Sequence, residues 1–258
     1  NPLSGGSHVI SSEISDNAGN RAEINVNFII ADAGGIIDSA GGTITVTNTA
    51  SPILGASLTV PPNAVLSPVT LFILSSSPAT PLPSYLVVPS GPAIEFGPDG
   101  TTFNAPVTIE VPYQPSSIPL NTPESAVSLY YYNPSAVWQK VPNTTLDTVN
   151  KFVIAETAHF SEYQAGTGIV DSGLTSVIAD PDYVNANNVS KSIITVTPRD
   201  ANNDLLGAGQ NVTLSQAGPG TLGVVTDKGD GTYTAELTAT LTTGTTLINA
   251  TVNGIAIN

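Results

Sequence analysis

Apolar and polar residues alternate along most of this chain with the period of a strand, not of a helix. SHVISSEIS and RAEINVNFII alternate in part and flank DNAGN, whose Asp, Asn and Gly suit a tight turn. Together they predict a β-hairpin within 1–32. A lone hairpin is marginal in water, so this one needs a second layer to pack on. From 41 to 165 the predicted strands are Thr43–Thr47, Ala56–Val60, Val69–Leu74, Tyr85–Val88, Ala93–Phe96, Val107–Val111, Val127–Tyr132, Val137–Val141, Phe152–Ala155 and His159–Gln164. Pro, Gly and Ser clusters separate them, as in a sandwich or barrel.

Residues 174–258 alternate more cleanly, with turns at Asp200–Asp204, Gly218–Gly220, Asp227–Gly231 and Asn253–Gly254. That is the spacing of a seven-strand sandwich whose last strand, Ile255–Asn258, is a stub. No segment of ten or more residues carries a clean helical period. AGGIIDSA (33–40) and GTGIVDSG (166–173) read as linkers by their small residues. The expected fold is therefore all-β, with units at 1–32, 33–165 and 166–258.

Composition narrows the setting. Only 10% of residues are charged, so Thr, Ser and Asn must carry the polar surface. Six basic residues against 20 acidic give a net charge of −14, which repels phosphate backbones and argues against a nucleic-acid partner. The absence of Cys excludes disulfides, thiolate zinc sites and cysteine nucleophiles. No run approaches the ~20 apolar residues of a membrane helix. With no signal peptide and Asn as first residue, the chain reads as a mature or excised segment of an extracellular protein.

Two stretches resemble known families. GGTITVTN, ASLTVPPNAVL and SGPAIEFGPDGTTFNAPVTIEVPY, followed by YYYNPSAVWQKVP and TAHFSEYQAG, resemble the ZU-type β domain of zonula-occludens scaffolds, netrin receptors, ankyrins and many prokaryotic surface proteins. This resemblance covers about 41–165. TVTPRDANNDLLGAGQNVTLSQAGPGTLGVVTDKGDGTYTAELTAT resembles the invasin/intimin-type bacterial immunoglobulin-like repeat, over 171–258. The first hairpin is similar to the last two strands of such repeats. These resemblances imply tandem immunoglobulin-like and ZU-type β-sandwich modules in a large exported protein. They imply a structural or adhesive role at a prokaryotic cell surface and no shared enzymatic activity.

Several constellations could carry chemistry. In some ZU-type domains a His-Phe-Ser triplet cleaves itself, and His159, Phe160 and Ser161 reproduce it. Serine Oγ would attack the Phe160 carbonyl, His159 would take the proton, and backbone strain would lower the barrier. The plainer reading makes Phe160 a core anchor on a closing strand. Asp180, Asp182, Asp200, Asn202, Asn203 and Asp204 are oxygen donors suited to Ca²⁺, with Asp16, Asn17 and Asn20 in the first turn. Their plainer role is to stabilise turns. No other cofactor is expected, and two imidazoles, His8 and His159, make zinc a poor fit.

Tyr130, Tyr132 and Trp138 could stack on sugar rings, with Tyr131 on the opposite face, or could simply pack a sheet. Asn143, Asn188, Asn211 and Asn249 head Asn-X-Ser/Thr sequons, candidates for glycosylation. No Gly-X-Ser-X-Gly nucleophile turn is present. Expected partners are other copies of the chain, neighbouring β modules of a longer chain, and surface glycans. An open sheet edge accepts a donated strand, so stalk and strand-complemented filament are both expectations.

Overall fold

The computed structural model describes residues 6–133, 135 and 137–257. Residues 1–5 of the first unit, Pro134 and Ala136 of the aromatic stretch, and Asn258 of the final stub lie outside them. The chain is all-β, with two short 3₁₀ turns at Pro115–Ser117 and Glu124–Ala126.

Strands β1 (Gly6–Ser15) and β2 (Arg21–Ile30) pair antiparallel from Gly6↔Ile30 to Ser15↔Arg21. The Asp16 carboxylate fixes their turn by accepting the Ala18 and Asn20 N–H groups and the Asn20 side-chain amide. These bonds, the Asn20 side chain first, hold its carboxyl below the usual range. The register puts Ile10 opposite Val26 and Ile14 opposite Ala22, with Ile24 between, on one face. Ile10, Ile14, Ile24 and Val26 are each more than half exposed, so this apolar face has no covering layer among the described residues. The other face is polar apart from Val9 and Ile29 and carries the Arg21–Glu13 ion pair at 2.7 Å.

The middle module contains β3 (Ala33–Ile37), β4 (Gly42–Thr45), β5 (Ser57–Val60), β6 (Val69–Ser76), β7 (Val87–Gly97), β8 (Thr102–Pro112), β9 (Val127–Tyr132), β10 (Trp138–Lys140), β11 (Thr145–Asp147), β12 (Phe152–His159) and β13 (Glu162–Gly168). One sheet runs β10-β9-β13-β7-β6-β3 and the other β11-β12-β8-β5-β4. Alternation makes the core: Phe103, Val107, Ile109 and Val111 of β8 point in and meet Leu71, Ile73, Ile94 and Phe96 of the facing sheet.

Two local expectations are corrected. Residues 33–37 are strand β3, hydrogen-bonded along β6, where small residues suggested a linker. Small side chains serve close packing here, since a Cβ on Gly34 would lie 3.2 Å from the Leu71 carbonyl. Tyr85–Val88 and Ala93–Phe96 are not two strands; Val87 onward belongs to the single strand β7, which runs through Pro89 and Pro92. Proline lacks the ladder N–H and so reads as a break. The chain accommodates it with a register shift opposite Gln164–Gly166, where the Gln164 side-chain amide donates to the Gly91 carbonyl at 2.8 Å.

Within this module Glu95 of β7 lies directly opposite Glu162 of β13. Burial raises the Glu95 pKa, and Glu162 and Asp99 add to it. A carboxyl whose folded pKa exceeds its unfolded one binds its proton more tightly when folded. Its stabilising contribution is therefore present at acid pH and lost as pH rises through the folded pKa. Glu95→Gln is expected to stabilise the module at pH 7 by about 0.2–1 kcal/mol and to have little effect near pH 4. Urea midpoints at the two pH values check this, and equal shifts at both would exclude charge repulsion as the cause.

The last module contains β14 (Ser176–Asp180), β15 (Lys191–Thr197), β16 (Val212–Ala217), β17 (Thr221–Leu222), β18 (Thr226–Asp227), β19 (Tyr233–Thr238), β20 (Leu247–Val252) and β21 (Ile255–Ile257). β14-β15-β19-β17 form one sheet, with β18 also on β19, and β16-β20-β21 form the other. Between them lie Val196, Leu206, Val212, Tyr233, Ala250 and Val252. The buried Tyr233 hydroxyl accepts the Gln210 N–H at 2.7 Å and donates to the Gly207 carbonyl at 3.0 Å. Burial pushes its pKa up to about 12.

Residues 166–173 are likewise not a loose linker. Gly166–Gly168 end β13, Ile169 N–H donates to the Leu86 carbonyl at 2.8 Å, and Val170 is buried in the last module's core. The modules also touch directly at this joint. Ser125 Oγ donates to the Gly209 carbonyl at 2.8 Å, and Lys140 Nζ donates to the Leu206 carbonyl at 2.9 Å.

Candidate functional site

His159, Phe160 and Ser161 form the corner where the chain leaves β12 in one sheet and enters β13 in the other. Phe160 is 2% exposed, its ring edge-on to Phe103 at 4.8 Å and tilted against Phe96 at 6.1 Å. Its N–H donates to the Thr101 carbonyl at 2.9 Å. The Ser161 hydroxyl donates to the Tyr132 carbonyl. His159 Nδ1 lies 3.4 Å from the Phe160 carbonyl oxygen and 5.5 Å, ring to ring, from Tyr131. The His159 carbonyl accepts from Thr157 Oγ1 at 2.8 Å and from the Tyr163 hydroxyl at 3.1 Å.

Self-cleavage needs the serine hydroxyl to give its proton to the imidazole as its oxygen attacks the Phe160 carbonyl. In this arrangement that proton is directed to Tyr132 instead. None of the three residues has a positive φ. Mass spectrometry of the purified chain, incubated for days at neutral pH, is therefore expected to return one unbroken species. A fragment ending at Phe160 would establish the acyl shift.

The aromatic candidates divide between two faces, as alternation requires. Tyr131 faces the main core beside Tyr163. Tyr130, Trp138 and the partly buried Tyr132 form a second, smaller core with Leu82, Leu86 and Val87. Trp138 Nε1 donates to the Thr80 carbonyl at 2.7 Å, and the Tyr132 ring tilts against the indole at 5.6 Å. Tyr130 and Trp138 are less than a tenth exposed, so the segment around Thr80 covers the faces a stacked sugar would need.

The oxygen donors do not converge. Asp180 pairs with Ile193 at one end of β15, and Asp200 lies seven residues further on, roughly 20 Å along the strand direction. At the Asp180 end Asp182 is exposed. At the other end Asp200 accepts the N–H groups of Asn202 at 2.9 Å and Asp204 at 3.0 Å, and Asn203 N–H donates to its carbonyl. Asp200 thus closes a turn, as Asp16 does with Asn20 around Asn17. Among the described residues no three carboxylates or imidazoles are placed to share a metal ion. Two of these carboxylates, Asp16 and Asp200, each accept backbone N–H groups of their own turn. All four sequon residues, Asn143, Asn188, Asn211 and Asn249, are exposed.

What the sequence does not reveal is the cleft between the modules, of about 1,060 Å³. Tyr130, Trp138, Lys140 and Asn143 line it from the middle module, and Arg199, Asp200, Asn202 and Asp204 from the last. Two separately chosen groups, the aromatics and the Asp200 turn, thus meet across the joint. Lys140 and Arg199 escaped notice, although the scarcity of cations, six in the chain, could have marked them. Desolvation draws the Lys140 pKa down, while Asp200 and Asp204 push it back up. Burial, and then the same two carboxylates, raise the Tyr130 pKa.

The fold is two successive β-sandwich modules. Residues 33–130 match the family model of the ZU5 domain, and 171–258 match that of invasin domain 3. No curated protein matches the chain. Invasin, a bacterial integrin-binding protein of known structure, is 20% identical over 73% of this chain and 37% of its own, with a TM-score of 0.33. A family 2 glycosyl hydrolase from Bacteroides cellulosilyticus is 16% identical over 67% of this chain and 28% of its own, with a TM-score of 0.30. The N-terminal domain of a Streptococcus gordonii adhesin is 9% identical over 99% and 89%, with a TM-score of 0.17. The chain thus spans 37% of the length of invasin, and at these TM-scores no arrangement of modules is carried over.

Proposed function

We propose that this chain is a structural, adhesive segment of a prokaryotic cell-surface protein, its modules held end to end as part of an extended stalk. The observation that supports the reading is surface area. The chain exposes 13,835 Å², where a compact monomer of its mass, 26.3 kDa, exposes roughly 10,600 Å². Strand β13 feeds directly into the last module's core at Val170, so the joint transmits direction and load instead of swinging freely. Both matched models describe adhesive or structural modules, and neither is that of an enzyme family. Small-angle scattering tests the reading. A compact 258-residue chain has a radius of gyration near 18 Å, by roughly 2.2·N^0.38. A clearly larger value with a rod-like distance distribution is expected, and a value near 18 Å would sink the stalk.

A second reading, a filament subunit joined by strand complementation, draws on the β1–β2 ribbon. Its apolar face, Ile10, Ile14, Ile24 and Val26, needs a covering layer, which a neighbouring β module or a second copy would supply. Electron microscopy of the mature protein discriminates: regular fibres with a one-chain repeat favour the filament, and isolated rods favour the stalk.

A further inference from the structure

We propose that the cleft between the ZU5-type and invasin-type modules is a binding site for a neutral saccharide. The site goes beyond the stalk reading and does not rest on it. Clefts at domain junctions are common places for small ligands, and this one has the volume, about 1,060 Å³, for one to a few sugar rings. Its open face is made by both modules, so it exists only while the joint holds.

The observation that points to a ligand is Tyr130. Its side chain is 8% exposed and lines the cleft, yet its hydroxyl makes no hydrogen bond to any described residue. That hydroxyl still reaches solvent, so a ligand hydroxyl would replace water as its partner. Around it stand Lys140 and Arg199 as donors and Asp200 and Asp204 as acceptors. Lys140 spends one N–H on the Leu206 carbonyl and Arg199 spends Nη1 on the Asn203 carbonyl, which leaves further donors on each.

Charge chooses the class of ligand. Two cations face two carboxylates, and no other charged side chain lines the cleft, so its net charge is zero. A phosphate or sulfate would meet the carboxylates, and an ammonium would meet the cations. A sugar hydroxyl donates to a carboxylate and accepts from an ammonium or guanidinium at once, so it uses both signs. Trp138 in the wall adds an apolar surface beside these polar groups. Its indole is tied to Thr80, so it serves as a wall at the edge of the ligand and not as an open stacking platform.

Trp138, the only tryptophan in the chain, gives the experiment its signal. The whole chain is titrated with neutral hexoses, N-acetylhexosamines and their di- to tetrasaccharides while Trp138 emission is followed. Inorganic phosphate and a sialylated trisaccharide serve as anionic probes. A saturable change with at least one neutral saccharide is expected. Tyr130→Phe removes only the hydroxyl and should weaken that binding about threefold to tenfold with an unchanged melting curve. Asp204→Asn, in an exposed turn, should weaken it as well. Three outcomes would overturn the proposal: no response to any neutral saccharide at millimolar concentration, affinity unaltered in both variants, or tighter binding of the anionic probes. None of these bears on the scattering result, so the site and the stalk fail separately.

Discussion

Phe160→Ala is expected to destabilise the middle module by about 3–5 kcal/mol, the largest loss of any single truncation considered for this chain. The ring is a wedge at the β12–β13 corner, where the chain passes from one sheet to the other, packed on Phe96 and Phe103 with 2% of its surface exposed. Alanine would leave a cavity whose walls are strands held by ladders on both sides, so they cannot close over it. The neighbours of Phe160 set the contrast. His159 is only partly buried, and Ser161 contributes one hydrogen bond to the Tyr132 carbonyl. Ser161→Ala should therefore cost about 1–2 kcal/mol at most. Urea unfolding followed by the emission of Trp138, a residue of the middle module, measures both variants. A cost below ~1 kcal/mol for Phe160→Ala would mean that the corner is not an anchor.

The second large effect is expected at Gly209→Val. Gly209 has φ +84°, and a Cβ there would lie 2.6 Å from the Ser125 carbonyl oxygen across the joint. Valine would carry two penalties: a left-handed backbone, worth roughly 1–2 kcal/mol, and a collision with the facing module's main chain. Gly229→Val separates them. Gly229 has φ +79° with nothing within 4 Å of its would-be Cβ, so it bears the backbone penalty alone. Both variants should destabilise the last module, but only Gly209→Val should open the joint. The reading is a larger radius of gyration, or a broader distance distribution, for that variant by small-angle scattering. If both variants scatter like the parent chain, the Gly209–Ser125 contact does not hold the modules.

The link between joint and cleft gives these variants a further use. The cleft takes one wall from each module, so a joint opened at Gly209 should cost saccharide binding even though residue 209 need not touch the sugar. Tyr130→Phe should do the reverse, weakening the ligand while leaving the scattering curve unchanged. The two variants thereby separate the shape of the site from its chemistry.

Much of the architecture was legible along the chain because period-two alternation and turn residues act locally. The strand at Val107–Val111, the inner part of β8, follows from its alternation, and the hairpin at Asp16–Asn20 follows from an Asx turn that needs no tertiary help. The opposite faces of Tyr130 and Tyr131 were equally determined, since adjacent strand residues cannot share a side. Tertiary structure alone decided the rest. Pro89 and Pro92 remain inside one strand because Gln164, distant in sequence, supports the register shift. Gly168 and Val170 are joint and core, not linker, because Leu206 and the last module pack on them. Asp180 and Asp200 look like one cluster in sequence and stand at opposite ends of β15, because an extended strand carries its residues apart. The cleft at Tyr130, Lys140, Arg199 and Asp204 belongs to neither module's own pattern. It is made by how two finished sandwiches meet, and contacts between residues so distant in sequence leave no periodicity to read.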